Sequence, residues 1–134
     1  MSLTLAEALL AIEGAKKKAH ELGTPMVIAV VDAGGNLIAK VRMDGALLVS
    51  IGLAENKAYT AAALKRATHD LAPLAQPGAP LFGIHNADGG RIVIFGGGIP
   101  LVVNEQVIGA IGVSGGAVEE DVACAKAGAE ALGL

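Results

Sequence analysis

Gly96-Gly97-Gly98-Ile99-Pro100-Leu101-Val102-Val103-Asn104-Glu105-Gln106-Val107-Ile108-Gly109-Ala110-Ile111-Gly112-Val113-Ser114-Gly115-Gly116 is apolar, nearly free of charge, and broken by glycine at turn-like positions. Leu101-Val102-Val103 precedes Asn104-Glu105-Gln106 and Val107-Ile108 follows it, a pattern of two strands joined by a short polar turn. Leu101 to Val103 is therefore expected to pair with Val107 to Val113. Glycine inside a strand packs nothing and loses more backbone entropy on folding than other residues do. Gly109 and Gly112 thus mark a place where another surface comes close: a helix, a second subunit or a ligand. Helix packing or a bulge is the first reading and a ligand the second.

Outward from this hairpin the chain alternates helical and extended patterns. Thr4-Leu5-Ala6-Glu7 is a capping box, and Leu5, Ala8, Leu9, Ile12, Ala15, Ala19 and Leu22 recur at helical spacing. Gly23 closes that helix and Pro25 follows, so helix one covers Thr4 to Leu22. Met26 to Val31 is a short run rich in β-branched residues, a buried strand. Asp32-Ala33-Gly34-Gly35-Asn36 is a hairpin connection, and Leu37 to Met43 is the return strand. Asp44-Gly45 turns into an Ala-rich second helix from Leu47 to Thr68. Asp70 to Gly90 carries Pro73, Pro77 and Pro80 and reads as a long excursion with one short helical turn. Arg91 to Phe95 is expected as a further strand. Val118 to Leu132 is a final helix with Glu119, Glu120 and Asp121 in its first turn, where carboxylates suit the positive end. The order predicts an α+β fold, a central antiparallel five-stranded sheet flanked by helices, in one domain over residues 1–134.

Composition narrows the partners. The chain is 53% hydrophobic and only 17% charged, too apolar for disorder and apolar for a small monomer, so a homo-oligomer is expected. With two Phe, one Tyr and no Trp, the core must come from Ala, Val, Ile and Leu. The net charge is −3, and Lys16-Lys17-Lys18, the one basic cluster, fans around a helix, which disfavours nucleic acid. No apolar run reaches the about 20 residues that cross a bilayer, and no signal segment opens the chain, so a cytoplasmic protein is expected. Cys124 stands alone in an Ala-rich helical pattern, a small buried residue rather than half of a disulfide.

Helix two holds the most informative polar set. Lys57 and Thr60 lie three apart on one face, beside Asn56 and among alanines too small to shield them. A ligand-facing stripe and a solvated or subunit-facing stripe are equal readings of that pattern. Arg42-Met43-Asp44-Gly45 lies where a strand enters this helix, and a local Arg42–Asp44 ion pair comes before an anionic ligand. Asp32 reads as a turn residue. His20, His69 and His85 can each ligate iron through a neutral imidazole, although no HxxxH or HExxH spacing supports a metal site, and for His20 and His69, near helix ends, capping or simple exposure is the first reading. Gly112-Val113-Ser114-Gly115-Gly116 fits GxSxG, but no histidine follows Ser114, which favours a glycine-rich helix entry over a hydrolase elbow.

Val30-Val31-Asp32-Ala33-Gly34-Gly35-Asn36, Arg42-Met43-Asp44-Gly45-Ala46, Asn56-Lys57-Ala58-Tyr59-Thr60-Ala61, Gly97-Gly98-Ile99-Pro100-Leu101 and Ile108 to Gly116 together resemble the GlcG/HbpS family. That family includes the C-terminal domain of PduO-type cobalamin adenosyltransferases. The resemblance covers nearly the whole chain, and the motifs are specific for the family rather than for one reaction. It implies a profilin-like fold, assembly into a tetramer or larger, and haem as a ligand, since some members bind haem. Other members sit beside glycolate, propanediol or glycerol metabolism. The adenosyltransferase domain of the fused members has no counterpart here, so that activity does not carry over. Two functions follow from different classes. In the first, the protein is a small-ligand or haem-binding oligomer. Arg42, Asp44, Lys57 and Thr60 then line a pocket with Gly98, Pro100 and Ser114 of the glycine-rich hairpin. His20, His85 and Thr60 are the candidates for the haem iron. In the second, the protein acts on a small oxygenated metabolite, Lys57 and Arg42 holding a carboxylate and Asp44 or Glu105 moving a proton.

Overall fold

The hairpin forms with the expected pairing and is wider than its apolar core. In the computed structural model, which describes residues 2–134, β3 (Gly98–Val103) pairs with β4 (Gln106–Ser114). Asn104 and Glu105 make the two-residue turn, with φ of 50° and 64°. Positive φ at both positions matches the right-handed twist of the strands it joins. β1 (Val27–Asp32) and β2 (Leu37–Arg42) form the other hairpin, and β1 lies antiparallel to β4. The strand order is β2-β1-β4-β3.

The sheet therefore has four strands among the described residues, not five. Arg91 to Phe95, expected as a strand, runs without regular structure. Its ladder groups are used elsewhere: the Val93 N–H donates to Thr60 Oγ1 at 3.0 Å, and Ile92 and Val93 are buried. A side chain on a helix has taken the place of a neighbouring strand.

Strand alternation sorts the core into two layers. Ile28, Val30, Ile111 and Val113 face one side and pack with Ala8, Ala11, Ile12, Ala15 and Ala19 of α1 (Leu5–Leu22). Cys124 and Ala125 of α4 (Val118–Glu130) complete that layer. Val31 and Ala110, with Val27 and Ala29, face the other side and meet Ala54, Ala58, Ala61 and Ala62 of α2 (Leu48–Leu64). The central strands are covered on both faces, so their sequence is a continuous apolar run rather than an alternating one.

α2 lies so close to the sheet that the strands beneath it must be glycine. Gly98 and Gly112 are cross-strand partners. A Cβ at Gly112 would sit on the Ala54 carbonyl oxygen and 2.5 Å from the Ala58 nitrogen; one at Gly98 would overlap the Lys57 carbonyl. The close surface inferred for Gly112 is thus a helix backbone.

The helix ends follow their caps. Thr4 and Glu7 form the capping box, and Gly23 closes α1 in the left-handed region at φ 71°. α2 stops at Leu64, four residues before the expected Thr68, because Lys65 turns left-handed at φ 51°. A single turn, α3 (Thr68–Leu71), and short 3-10 turns then carry the chain to Gly90. No helix among the described residues is long and apolar enough to cross a membrane.

Candidate functional site

The residues singled out in the sequence lie in separate places: inside the fold, in a shallow cleft at the end of α1, and at the edge strand β3.

Lys57 is interior. Its side chain is 0% exposed, between α2 and the start of α4. Nζ donates to Asp121 Oδ2 at 2.8 Å and to the Val113 carbonyl at 3.0 Å, and lies 4.9 Å from the centre of the Phe95 ring. The other Asp121 oxygen accepts the Gly116 N–H at 2.9 Å. Burial pulls the Lys57 ammonium below its usual range against the attraction of Asp121, and burial pushes the Asp121 carboxyl up against the attraction of Lys57. Each charge is matched, while burial works against the charged form of each. The stripe read as solvated or ligand-facing is enclosed at Lys57.

Thr60 is also interior. Its hydroxyl donates to the Asn56 carbonyl at 2.7 Å and accepts from Val93, which ties the irregular segment to α2. Ser114 is buried and bonded to Ser50 Oγ at 3.0 Å. Gly98 donates its N–H to Thr68 Oγ1 at 2.9 Å beneath α2. These groups spend their polar capacity on one another, tying α2 and α3 to the sheet.

Arg42, Asp44 and His20 come together at the surface. With Lys16 and Met43 they line a cleft of about 290 Å³ at the C-terminal turn of α1. The local Arg42–Asp44 ion pair expected from the sequence does not form. Lys16 pairs instead with Glu13 at 2.7 Å, one turn back along the helix. The His20 ring is exposed and bonded to no group among the described residues. His85 sits apart on the 3-10 segment, edge-on to Phe82 at 5.9 Å between ring centres.

Pro100 belongs to a third place, an open cleft of about 650 Å³ between β3, the α2–α3 link and the end of α4. Lys65, Arg66, His69 and Lys126 line it beside Pro100. The His69 Nδ1 is buried without a hydrogen-bond partner. No group of three His, Cys, Asp or Glu among the described residues is arranged to hold a metal ion.

Two readings of single residues hold. Asp32 Oδ1 accepts from the Gly34 and Asn36 backbone at 2.9 Å each and closes the β1–β2 turn. Cys124 is buried, and burial pushes its thiol up to about 11. Sequence reasoning missed Asp121 as the partner of Lys57, assigning it to the helix dipole with Glu119 and Glu120. Its spacing carried the signal: Asp121, Cys124, Ala125 and Gly128 form one buried stripe of α4. The joining of Lys65, Arg66 and Lys126 in one cleft had no local signal.

The model of the family described as haem degrading protein HbpS-like matches residues 3–130. An uncharacterised 15.0 kDa protein of the dhaT–dhaS intergenic region of Citrobacter freundii is 48% identical over 120 residues, 90% of this chain and 84% of that protein. The crystal structure of Klebsiella pneumoniae ORFY superposes with a TM-score of 0.95 at 44% identity, covering 97% of this chain and 90% of that one. A crystal structure described as a PduOC:heme complex gives 0.94 at 40% identity, covering 98% and 95%. The chain belongs to the HbpS-like family.

Proposed function

We propose that this member of the HbpS-like family is a haem-binding protein, with the cleft at the end of α1 as the haem site. The observation that carries the reading is the free imidazole of His20 beside two cationic side chains, Lys16 and Arg42. An unengaged imidazole is the common protein ligand of haem iron, and guanidinium and ammonium groups hold propionate carboxylates. The solved relative in complex with haem, 40% identical over nearly the whole chain, supports the same ligand. His20 would ligate the iron, and haem, when bound, would supply that iron centre. The other chain groups bind and orient: Arg42 and Lys16 fix the carboxylates, Met43 offers an apolar wall, and Asp44 keeps them off its side of the rim.

Two earlier candidates have other uses. Thr60 is 0% exposed with its hydroxyl engaged on both sides, so in this reading His20 rather than Thr60 would hold the iron. The metabolite reading finds no support at Lys57, whose ammonium is enclosed and charge-matched.

A cleft of about 290 Å³ is at the small end of the ~300–1,000 Å³ that encloses small ligands. One chain therefore covers part of the macrocycle, and a second copy covers the rest. Assembly also fits the exposed apolar residues of α1 and the α2 entrance: Leu5, Leu9, Leu10, Leu47, Leu48 and Val49. A haemin titration followed in the Soret band, with light scattering on the same sample, tests the reading. A saturable change with defined stoichiometry is expected, weakened at least about tenfold in His20→Ala and unaltered in His85→Ala. A flat titration, or full binding by His20→Ala, refutes it.

A further inference from the structure

The 650 Å³ cleft at the edge strand has a chemistry of its own, independent of haem and of His20. One wall is apolar: Ile99, Pro100 and Val102 of β3, with Ala129 of α4 and Leu134 beyond it. Pro100 has no N–H to offer, so the strand presents carbon at that point rather than a backbone donor. The other wall is cationic. α2 ends when Lys65 turns left-handed, and the Arg66 N–H returns to the Ala61 carbonyl at 3.2 Å, which brings Lys65 and Arg66 to the rim. Lys126 reaches the same rim from α4. None of these three cations has a salt-bridge partner among the described residues, although the chain as a whole carries a net −3.

The acids of the cleft leave that charge standing. Asp70 lies 3.8 Å from His69 Nε2 rather than against a cation, and Glu130 is exposed. His69 stands beside these acids without pairing to a cation. Its Nδ1 is buried with no partner, as is that of His85 outside the cleft, so the ring leaves the cationic rim unneutralised without itself naming a ligand. An apolar floor and a rim of unpaired cations describe one kind of ligand.

We infer that this cleft binds a small organic anion, a carboxylate or phosphate carried on an apolar body, with Arg66 and Lys126 holding the charge and β3 the body. Arg66 presents a planar fork to two anionic oxygens and Lys126 a point charge, both suited to such a head group. The cleft volume lies in the range that holds ligands of this size, well above the His20 cleft.

The test uses anilinonaphthalene sulfonate, an anion on an apolar body whose fluorescence rises when it leaves water. Titrations run on the whole protein, on Arg66→Gln/Lys126→Gln, and on His20→Ala. Both cations are exposed, so the double variant keeps its fold. Saturable binding is expected, weakened roughly tenfold or more in the double variant and unchanged in His20→Ala. Displacement by hexanoate assigns a carboxylate and displacement by hexyl phosphate a phosphate. Unsaturable binding, full binding by the double variant, loss in His20→Ala, or displacement by neither competitor overturns the inference. Haem binding at His20 stands or falls separately, since the haemin titration of the double variant reads it alone.

Discussion

Asp121→Ala is expected to be among the most damaging single changes outside the hydrophobic core, and its cost is expected to depend on pH. The substitution leaves the Lys57 ammonium 0% exposed with only the Val113 carbonyl and the Phe95 ring face for company. Breaking a buried pair in this way costs about 3–5 kcal/mol, a large part of a domain stability of about 5–15 kcal/mol. The structure also sets a ceiling. Lys57 can escape by losing its proton, and from its ordinary 10.5 to pH 7 that is about 3.5 units at about 1.4 kcal/mol each, or about 5 kcal/mol. At pH 9.5 the same escape costs only about 1.4 kcal/mol. The penalty should therefore shrink as pH rises.

The sign follows from proton counting. A lysine whose folded pKa lies below 10.5 is more protonated in the unfolded chain between those two values, so stability rises with pH across that window. Asp121 does the reverse in the intact protein. Its folded pKa lies above 3.8, the folded chain holds the extra proton, and stability falls as pH rises from 3.8 through the raised value. Both directions say that burial outweighs pairing. Replacing the two residues together, Lys57→Met with Asp121→Leu, should consequently restore stability to within about 1 kcal/mol of the native chain or exceed it. Urea melts of the three proteins at pH 7 and pH 9.5, at one protein concentration, provide the check. A pH-independent penalty for Asp121→Ala, or a double variant as weak as the single one, would refute the reasoning.

Two further outcomes rest on close contacts. Gly112→Ala drives a Cβ into the backbone of α2 and should lower stability by about 3 kcal/mol or more, the upper end of overpacking costs. Gly52→Ala on the same helix meets nothing within 4 Å and should gain about 0.5–1 kcal/mol, so thermal melts that move in one direction for both would contradict the packing. Tyr59 is the one tyrosine of the chain; its hydroxyl bonds Asp88, which pushes its ionisation above the usual phenol range, while the Arg91 guanidinium lies 3.6 Å from its ring centre. Asp88→Asn should bring the ultraviolet phenolate transition down in pH, and an unmoved transition would show that the contact does not govern it.

What could be read in the chain was local, and what could not was long-range. The glycines of the β3–β4 hairpin signalled a close surface because glycine is costly in a strand, and α2 proves to be that surface at Gly112. The helix caps at Thr4 and Gly23 were equally legible, since each is satisfied within a few residues. Arg91 to Phe95 has the composition of a strand but depends on Thr60, a hydroxyl about thirty positions away in the chain, and no pattern within the segment reports that. The same limit explains Lys57. An amine among alanines reads as exposed because alanine shields little, yet the shielding comes from the sheet, from Phe95 and from a carboxylate 64 residues distant. Asp121 was the one half-legible member, because its place on the buried stripe of α4 conflicts with an interpretation as a solvated acid. A carboxylate on the inward face of a helix calls for a buried partner, and Lys57, on the helix that lies closest over the β3 and β4 glycines, supplies it.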